Sequence, residues 1–153
     1  MLSNVVQSQI DIHAHFGGVV PEIAARSHIE AIGPVVDEAL AQANCTWDDI
    51  DAIAVTYAPG LIGSLLIGSL AARTLAILHR KPLYPVHHVE GHVYANFITE
   101  QAPGPVQLAL PKSQPRFPLL ALIVSGGHTQ LVLFCDHGDY QLLGQTQDDA
   151  VGE

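Results

Sequence analysis

The run His87-His88-Val89-Glu90-Gly91-His92 holds more potential chemistry than any other six residues of the chain. His88 and His92 are four apart, so on a helix both imidazoles leave one face and can share a metal ion. Glu90 follows His88 at +2, about 200° further round a helix, and so points away from that face. A zinc-protease arrangement needs its glutamate directly after the first histidine, beside the metal-bound water, so the geometry argues against a peptidase. Two histidines are also an incomplete shell, and another ligand has to come from elsewhere. The chain has nine histidines, and among so many a four-residue spacing also arises by chance. A metal pair and an accidental pair both remain open on spacing alone.

Two glycine-bearing turns could serve an anionic group. Ser125-Gly126-Gly127-His128-Thr129 separates two apolar runs, and glycines there let backbone N–H groups approach a phosphate closely. An ordinary tight hairpin uses glycine equally well. Ser125 and His128 do not make a hydrolase pair, because no GxSxG elbow and no third orienting group accompany them. Pro59-Gly60 stands at a strand-to-helix junction, where helix N–H groups can bind anions but where Pro-Gly is also common turn chemistry. His13, His15, His28, His79 and His137 read as surface or satisfied structural residues, and Trp47 as an anchor at a loop edge.

Such residues need a core to position them. In 153 residues, 48% are hydrophobic and 14% charged, which excludes general disorder. Six Lys+Arg against 15 Asp+Glu give a formal charge of −9. No basic patch is visible, so a nucleic-acid role would draw on a partner's charge or a further segment. Cys45 and Cys135 lie far apart without CxxC spacing, which excludes a disulfide framework or zinc knuckle and fits reduced cytosol. Met1-Leu2-Ser3-Asn4 lacks the basic region of a signal peptide. The run 58–78 is long enough to span a bilayer, yet it carries Arg73 with Gly60, Gly63, Ser64, Gly68 and Ser69, and reads as a buried α/β helix.

Along the chain, Leu2 to Ser8 reads as a strand and Gly17-Gly18 as a loop. Pro21 suits a first helical turn, with Glu22 favourable to the dipole. Ile23, Ile29, Ile32, Val36, Ala39 and Leu40 mark one face of that helix to about Ala43, with a kink expected at Pro34. A capped turn at Thr46 to Asp49 precedes a strand over Asp51 to Tyr57. A long apolar helix over Leu61 to Arg80 follows, in which Ser64 and Gly68 suit close packing. Then come a strand over Leu83 to His87 and a short helix over Glu90 to Thr99. The segment 101–118 has five prolines and no periodicity, and reads as a linker. Leu119–Ser125, His128–Phe134 and Tyr140–Leu143 form an antiparallel meander. Alternating strands and helices before the linker predict a parallel sheet with covered faces.

Several motifs resemble one family in order and spacing. They are Leu2-Ser3-Asn4-Val5-Val6, Gly17-Gly18-Val19-Val20-Pro21-Glu22 and Pro59-Gly60-Leu61-Ile62-Gly63-Ser64. His88-Val89-Glu90-Gly91-His92, Ser125-Gly126-Gly127-His128-Thr129 and Asp148-Asp149-Ala150-Val151-Gly152-Glu153 complete the set. Together they resemble the tRNA N6-adenosine threonylcarbamoyltransferases, formerly known as O-sialoglycoprotein endopeptidases, over nearly all of the chain except 101–118. The resemblance implies an α/β fold of the actin/Hsp70/sugar-kinase kind. Residues 1–117 would be the first domain without its opening acidic hairpin, with a Pro-rich linker at 101–117, and 118–153 the start of a truncated second domain. It implies transfer of threonylcarbamoyl from L-threonylcarbamoyladenylate to N6 of adenosine 37, in tRNAs reading codons that begin with A, with release of AMP.

By the same resemblance, His88 and His92 would hold one divalent metal ion, iron ahead of zinc, and Ile123, Val124, Ser125, Gly126 and Gly127 would contact the adenylate. The expected partners are tRNA, a paralogous actin-like subunit and a small P-loop ATPase, in the cytoplasm and away from membranes. No catalytic residue is assigned, since the tRNA amine is itself the nucleophile. The usual third metal ligand, a late aspartate, falls beyond Glu153, so the isolated chain is expected to be inactive. Tyr57-Ala58 also replaces a usual Ala-Gly, and His87 a frequent Asn. The competing readings are a metal-dependent peptidase and a non-catalytic fragment that dimerises through the 61–80 helix.

Overall fold

A computed structural model of the chain describes residues 1–97, 114–124 and 129–146. These fall into two compact units, one over Met1–His88 and one comprising 89–97, 114–124 and 129–146. In chain order the elements of the first are α1 (Ile10–Ala14), α2 (Pro21–Ala43), a 3-10 turn (Trp47–Asp49), β1 (Ile53–Ala58), α3 (Ile62–His79) and β2 (Leu83–His87). Helix α4 (His88–Ala95) follows β2 without a loop. The strands β3 (Leu119–Val124), β4 (Thr129–Asp136) and β5 (Asp139–Gln145) close the list.

The first unit is a parallel β–α–β crossover with a second helix packed on it. β1 and β2 pair in parallel, Ile53 opposite Leu83 and Thr56 opposite Val86, and α3 connects them. Pro21 does open α2, which runs unbroken through Pro34. Both long helices stop on a left-handed residue. Asn44 (φ 53) ends α2, with Cys45 N–H donating to the Leu40 carbonyl at 3.0 Å. Arg80 (φ 55) ends α3, with Lys81 N–H donating to Ala76 at 2.9 Å. Such closures use carbonyls that the last turn would otherwise leave unpaired. The turn at Trp47 is held by a reciprocal box. Asp49 accepts from the Thr46 N–H at 2.9 Å and from its hydroxyl at 2.8 Å. Trp47 then stacks on His79, ring centroids 4.1 Å apart, as an anchor should.

Several expectations need correcting here. Leu2 to Ser8 is not a strand: Leu2 and Val6 are exposed, and no strand among the described residues pairs with the segment. An extended segment makes a strand only when a neighbour takes up its N–H and C=O groups. The five-residue α1, too short to show a period, stands just after it. Ile29 faces solvent, while Ala24, His28 and Ile32 share the inward side of α2. Among the described residues α3 is the helix packed on the two-stranded sheet, and Tyr57 and Tyr84 are exposed.

Nor is α3 a buried helix. Only Ala72 and Ala76 are buried, and Ile62, Leu66, Ile77 and Leu78 are exposed. By length and composition alone it could cross a membrane. Its small residues divide their work. A Cβ on Gly63 would stand 3.1 Å from the Ala25 methyl of α2, and one on Gly68 3.8 Å from Val55 of β1.

The second unit is the predicted meander. β3 and β4 pair antiparallel from Leu119↔Phe134 to Val124↔Thr129, and β5 pairs with the far edge of β4. A register shift between Leu131 and Val132 switches the inward phase of β4, so Thr129 and Val132, three apart, are both buried. Phe134 (1% exposed), Val132 and Val93 form the core, with Phe117, Leu119, Ala121 and Ile123 against it. The β4–β5 loop turns at Gly138, whose φ of 73° suits a residue without Cβ.

Candidate functional site

Helix α4 owes its orientation to a valine pair. Val89 and Val93 are buried four residues apart, and His88 and His92 precede each by one, so they lie about 100° round the helix and are exposed. The helix begins two residues earlier than expected, at His88, because β2 feeds straight into it. Its described part ends at Ala95, and 98–99 lie outside the described residues. Asn96 closes it, its side-chain amide donating to the His92 and Val93 carbonyls at 3.1 Å each. Glu90 is half-buried, off the histidine face, as its spacing required. Further along, Tyr94 Oη lies 2.8 Å from His137 Nδ1 and the two rings stack. Burial, aided by the charges of Glu90 and Asp136, pushes the Tyr94 phenol above its ordinary value.

In the first unit, His88 lines a cavity of about 420 Å³ together with Thr56, Pro59, Gly60, Leu61 and Ser64. Two motifs separate in sequence thus meet: the first histidine and the Pro-Gly junction. Gly60 has φ 156, where a side chain would be strained, and a Cβ there would press on Leu65 at 3.4 Å. Leu61, at the start of α3, gives no side-chain cap to the first-turn N–H groups. An imidazole beside such a helix end is suited to an oxygen-rich group.

Among the described residues no three His, Cys, Asp or Glu are grouped to hold a metal, so His88 and His92 stand as a pair. Of the expected adenylate contacts, Ile123 packs on the second core and Val124 is 48% exposed at the end of β3. Ser125, Gly126 and Gly127 lie outside the described residues, as does His128. The strands that carry this turn are fixed at its base by the Val124↔Thr129 pair. Thr146 Oγ1 also accepts from the Thr129 N–H at 3.0 Å.

The reading of His13 as surface or satisfied was wrong. It is 8% exposed; its Nδ1 accepts from the Val20 N–H at 3.3 Å, while Nε2 is buried without a partner. The spacing of Ile10, His13 and Ala14 before Gly17-Gly18 was the available signal, read as loop because the helix is so short.

A parallel β–α–β crossover running directly into a helix that bears two exposed histidines defines a mixed α/β protein. The family tRNA N6-adenosine threonylcarbamoyltransferase matches residues 1–153, and the chain belongs to that family. Proteins of that name from Thermomicrobium roseum (56% identical), Staphylococcus saprophyticus (55%) and Clostridium novyi (55%) align with all 153 residues. The chain spans 40–41% of the length of these relatives.

Proposed function

We propose that this chain is the part of a tRNA-modifying acyltransferase that carries two of its metal ligands and one edge of its adenylate site. The reaction joins N6 of adenosine 37 to the carbamoyl carbon of L-threonylcarbamoyladenylate. The bond from that carbon to the phosphate oxygen breaks, AMP leaves, and the amine loses a proton. The target tRNAs are those reading codons that begin with A. The observation that carries the reading is the family match over the whole chain, joined to the exposed His88/His92 pair on a helix pinned by Val89 and Val93.

The donor set fits a divalent ion: two imidazoles at i,i+4 on an exposed face are two positions of a shell, completed from outside the described residues, and the family resemblance puts iron ahead of zinc. When bound, the ion supplies a Lewis acid for carbamoyl or phosphate oxygens. His88 also reaches the Pro59-Gly60 cavity, so it can orient an oxygen there. Ile123, Val124, Ser125, Gly126 and Gly127 would present backbone donors to the adenylate. The wider reading is an actin/Hsp70/sugar-kinase-like fold with a first domain over 1–117 and a second opening at 118. It would work in the cytoplasm with tRNA, a paralogous subunit and a small P-loop ATPase.

The test is a chimaera in which residues 1–153 replace the matching segment of the Staphylococcus saprophyticus relative. Metal content and the nucleosides of a tRNA digest would both be measured. Threonylcarbamoyladenosine should form. His88→Ala and His92→Ala should each lower bound metal and product at least tenfold, a loss of at least about 1.4 kcal/mol. The 153-residue chain alone should form none. Undiminished product in both variants would refute the metal assignment.

A further inference from the structure

Helix α4 has a flank on either side of its buried seam. Val89 and Val93 form the seam, and Val93 seats it on Val132 and Phe134. One position before each valine comes an exposed histidine, His88 or His92, and one position after comes a half-buried residue, Glu90 or Tyr94. At 100° per residue, His92 and Tyr94 therefore lie on opposite sides of the Val93 contact. The Cα atoms of α4 stay almost wholly beyond 8 Å from those of β3, β4 and β5, so side chains set how the helix is rolled on the second unit. Two valines one turn apart define a line of contact rather than a plane. Rolling about that line is the least resisted motion, and it would swing His92.

Tyr94 supplies a hold on the other flank. Its Oη lies 2.8 Å from His137 Nδ1, and the two rings stack with centroids 5.6 Å apart. A phenol oxygen both donates and accepts, so the bond forms with either tautomer of the imidazole. His137 is itself fixed. It stands in the turn between the paired Asp136 and Asp139, next to Gly138. Its own N–H donates to Asp136 Oδ1 at 2.7 Å, and Phe117 meets its ring edge-on at 4.8 Å. The far flank of α4 is thus tied to the tip of the β4–β5 hairpin.

We infer that Tyr94 and His137 are positioning residues for the metal pair: their contact fixes the roll of α4, and so the direction in which His92 offers its imidazole. This rests on the reading of His88 and His92 as metal ligands. Such a contact can add to metal affinity no more than its own net worth, so breaking it should cost about three- to tenfold.

The experiment titrates the 153-residue chain with Zn²⁺, following the His88 and His92 ring signals by NMR, and records amide exchange in the metal-free chain. Zn²⁺ should shift both rings together and saturably. Tyr94→Phe and His137→Leu should each weaken Zn²⁺ roughly three- to tenfold, and the double variant should lose no more than either alone. Exchange should quicken in α4 and not across β3–β5. His137→Asn, which returns a hydrogen-bonding atom close to the Nδ1 position, should stay within about twofold of native affinity. Undiminished Zn²⁺ affinity in Tyr94→Phe would overturn the positioning role and leave the metal pair standing. So would equal losses in His137→Asn and His137→Leu. Weakening matched by faster exchange throughout the meander would overturn the role as well, because it marks general loosening. No Zn²⁺ shift at either ring of the native chain would remove the metal pair itself, and this inference with it.

Discussion

The two units are held together by different means. In the second, an aromatic ring is sealed. Phe134 is 1% exposed and touches Tyr94 edge-on at 6.4 Å and Tyr140 at 5.2 Å, above Val132 and Val93. In the first, the buried apolar side chains are alanines, Ala24, Ala72 and Ala76, while Ile62, Ile77 and Leu78 lie open. Three antiparallel strands can close one face over a helix, whereas two parallel strands cannot cover an 18-residue apolar helix. The first unit relies instead on close helix contact and on local polar closures at Asn44, Arg80 and Thr46.

Deleting the ring is the strongest way to break that contrast. Phe134→Ala should destabilise the meander by about 3–5 kcal/mol, read as faster amide exchange across β3–β5. The first unit's α3 amides should hardly change. In contrast Ile77→Ser, which removes an apolar side chain 77% exposed, should shift stability by no more than about 0.5 kcal/mol. A comparable loss from the two substitutions would mean that the open face of α3 is covered in solution.

The helix contact gives an intermediate effect. Gly63→Leu places a side chain where even its Cβ would lie 3.1 Å from the Ala25 methyl. It should cost about 1–3 kcal/mol by forcing α2 and α3 apart. Adding Ala25→Gly should return part of that loss, because the obstruction is one methyl group. No recovery in the double variant would show that the strain lies elsewhere along α3. Thermal unfolding followed by the Trp47 signal, which reports the turn next to His79, measures both Gly63 variants.

Where local chemistry decides structure, the sequence was legible. Pro21 opened its helix, Thr46 and Asp49 formed their box, and the three runs after the linker became a meander with register to match. Where a segment needs a partner, it was not. Leu2 to Ser8 reads as a strand but has no neighbour to pair with among the described residues, and Ile29 has a core residue's chemistry on the wrong side of α2. The site divides the same way. The i,i+4 spacing of His88 and His92 is a local fact and survives as an exposed pair. That His88 shares a cavity with Pro59 and Gly60 depends on the parallel β1–β2 pairing, which no short pattern encodes. His13 was misread for a related reason: it stands on a helix of only five residues, and the cavity it lines also takes residues from α2 and the start of α3.

The smallest expected effect tests the polar closures themselves. The Asp49 carboxyl is held below the ordinary carboxylate range first by the Thr46 backbone N–H, then by the Thr46 hydroxyl, with Lys81 a lesser contributor. A depressed folded value means that the ionised carboxylate favours the folded turn. That contribution is complete above the unfolded pKa, about 3.9, and disappears as pH falls through the lower folded value. Only as pH falls through that lower folded value should the box open, while the Phe134 core, which has no carboxylate among its residues, stays shut. Thr46→Ala removes the hydroxyl but keeps the N–H, so the Asp49 titration, followed by carboxyl carbon NMR, should move part of the way back. A full return would mean that the hydroxyl, not the backbone donor, holds the charge. No movement would mean that the backbone N–H holds the charge without help from the hydroxyl.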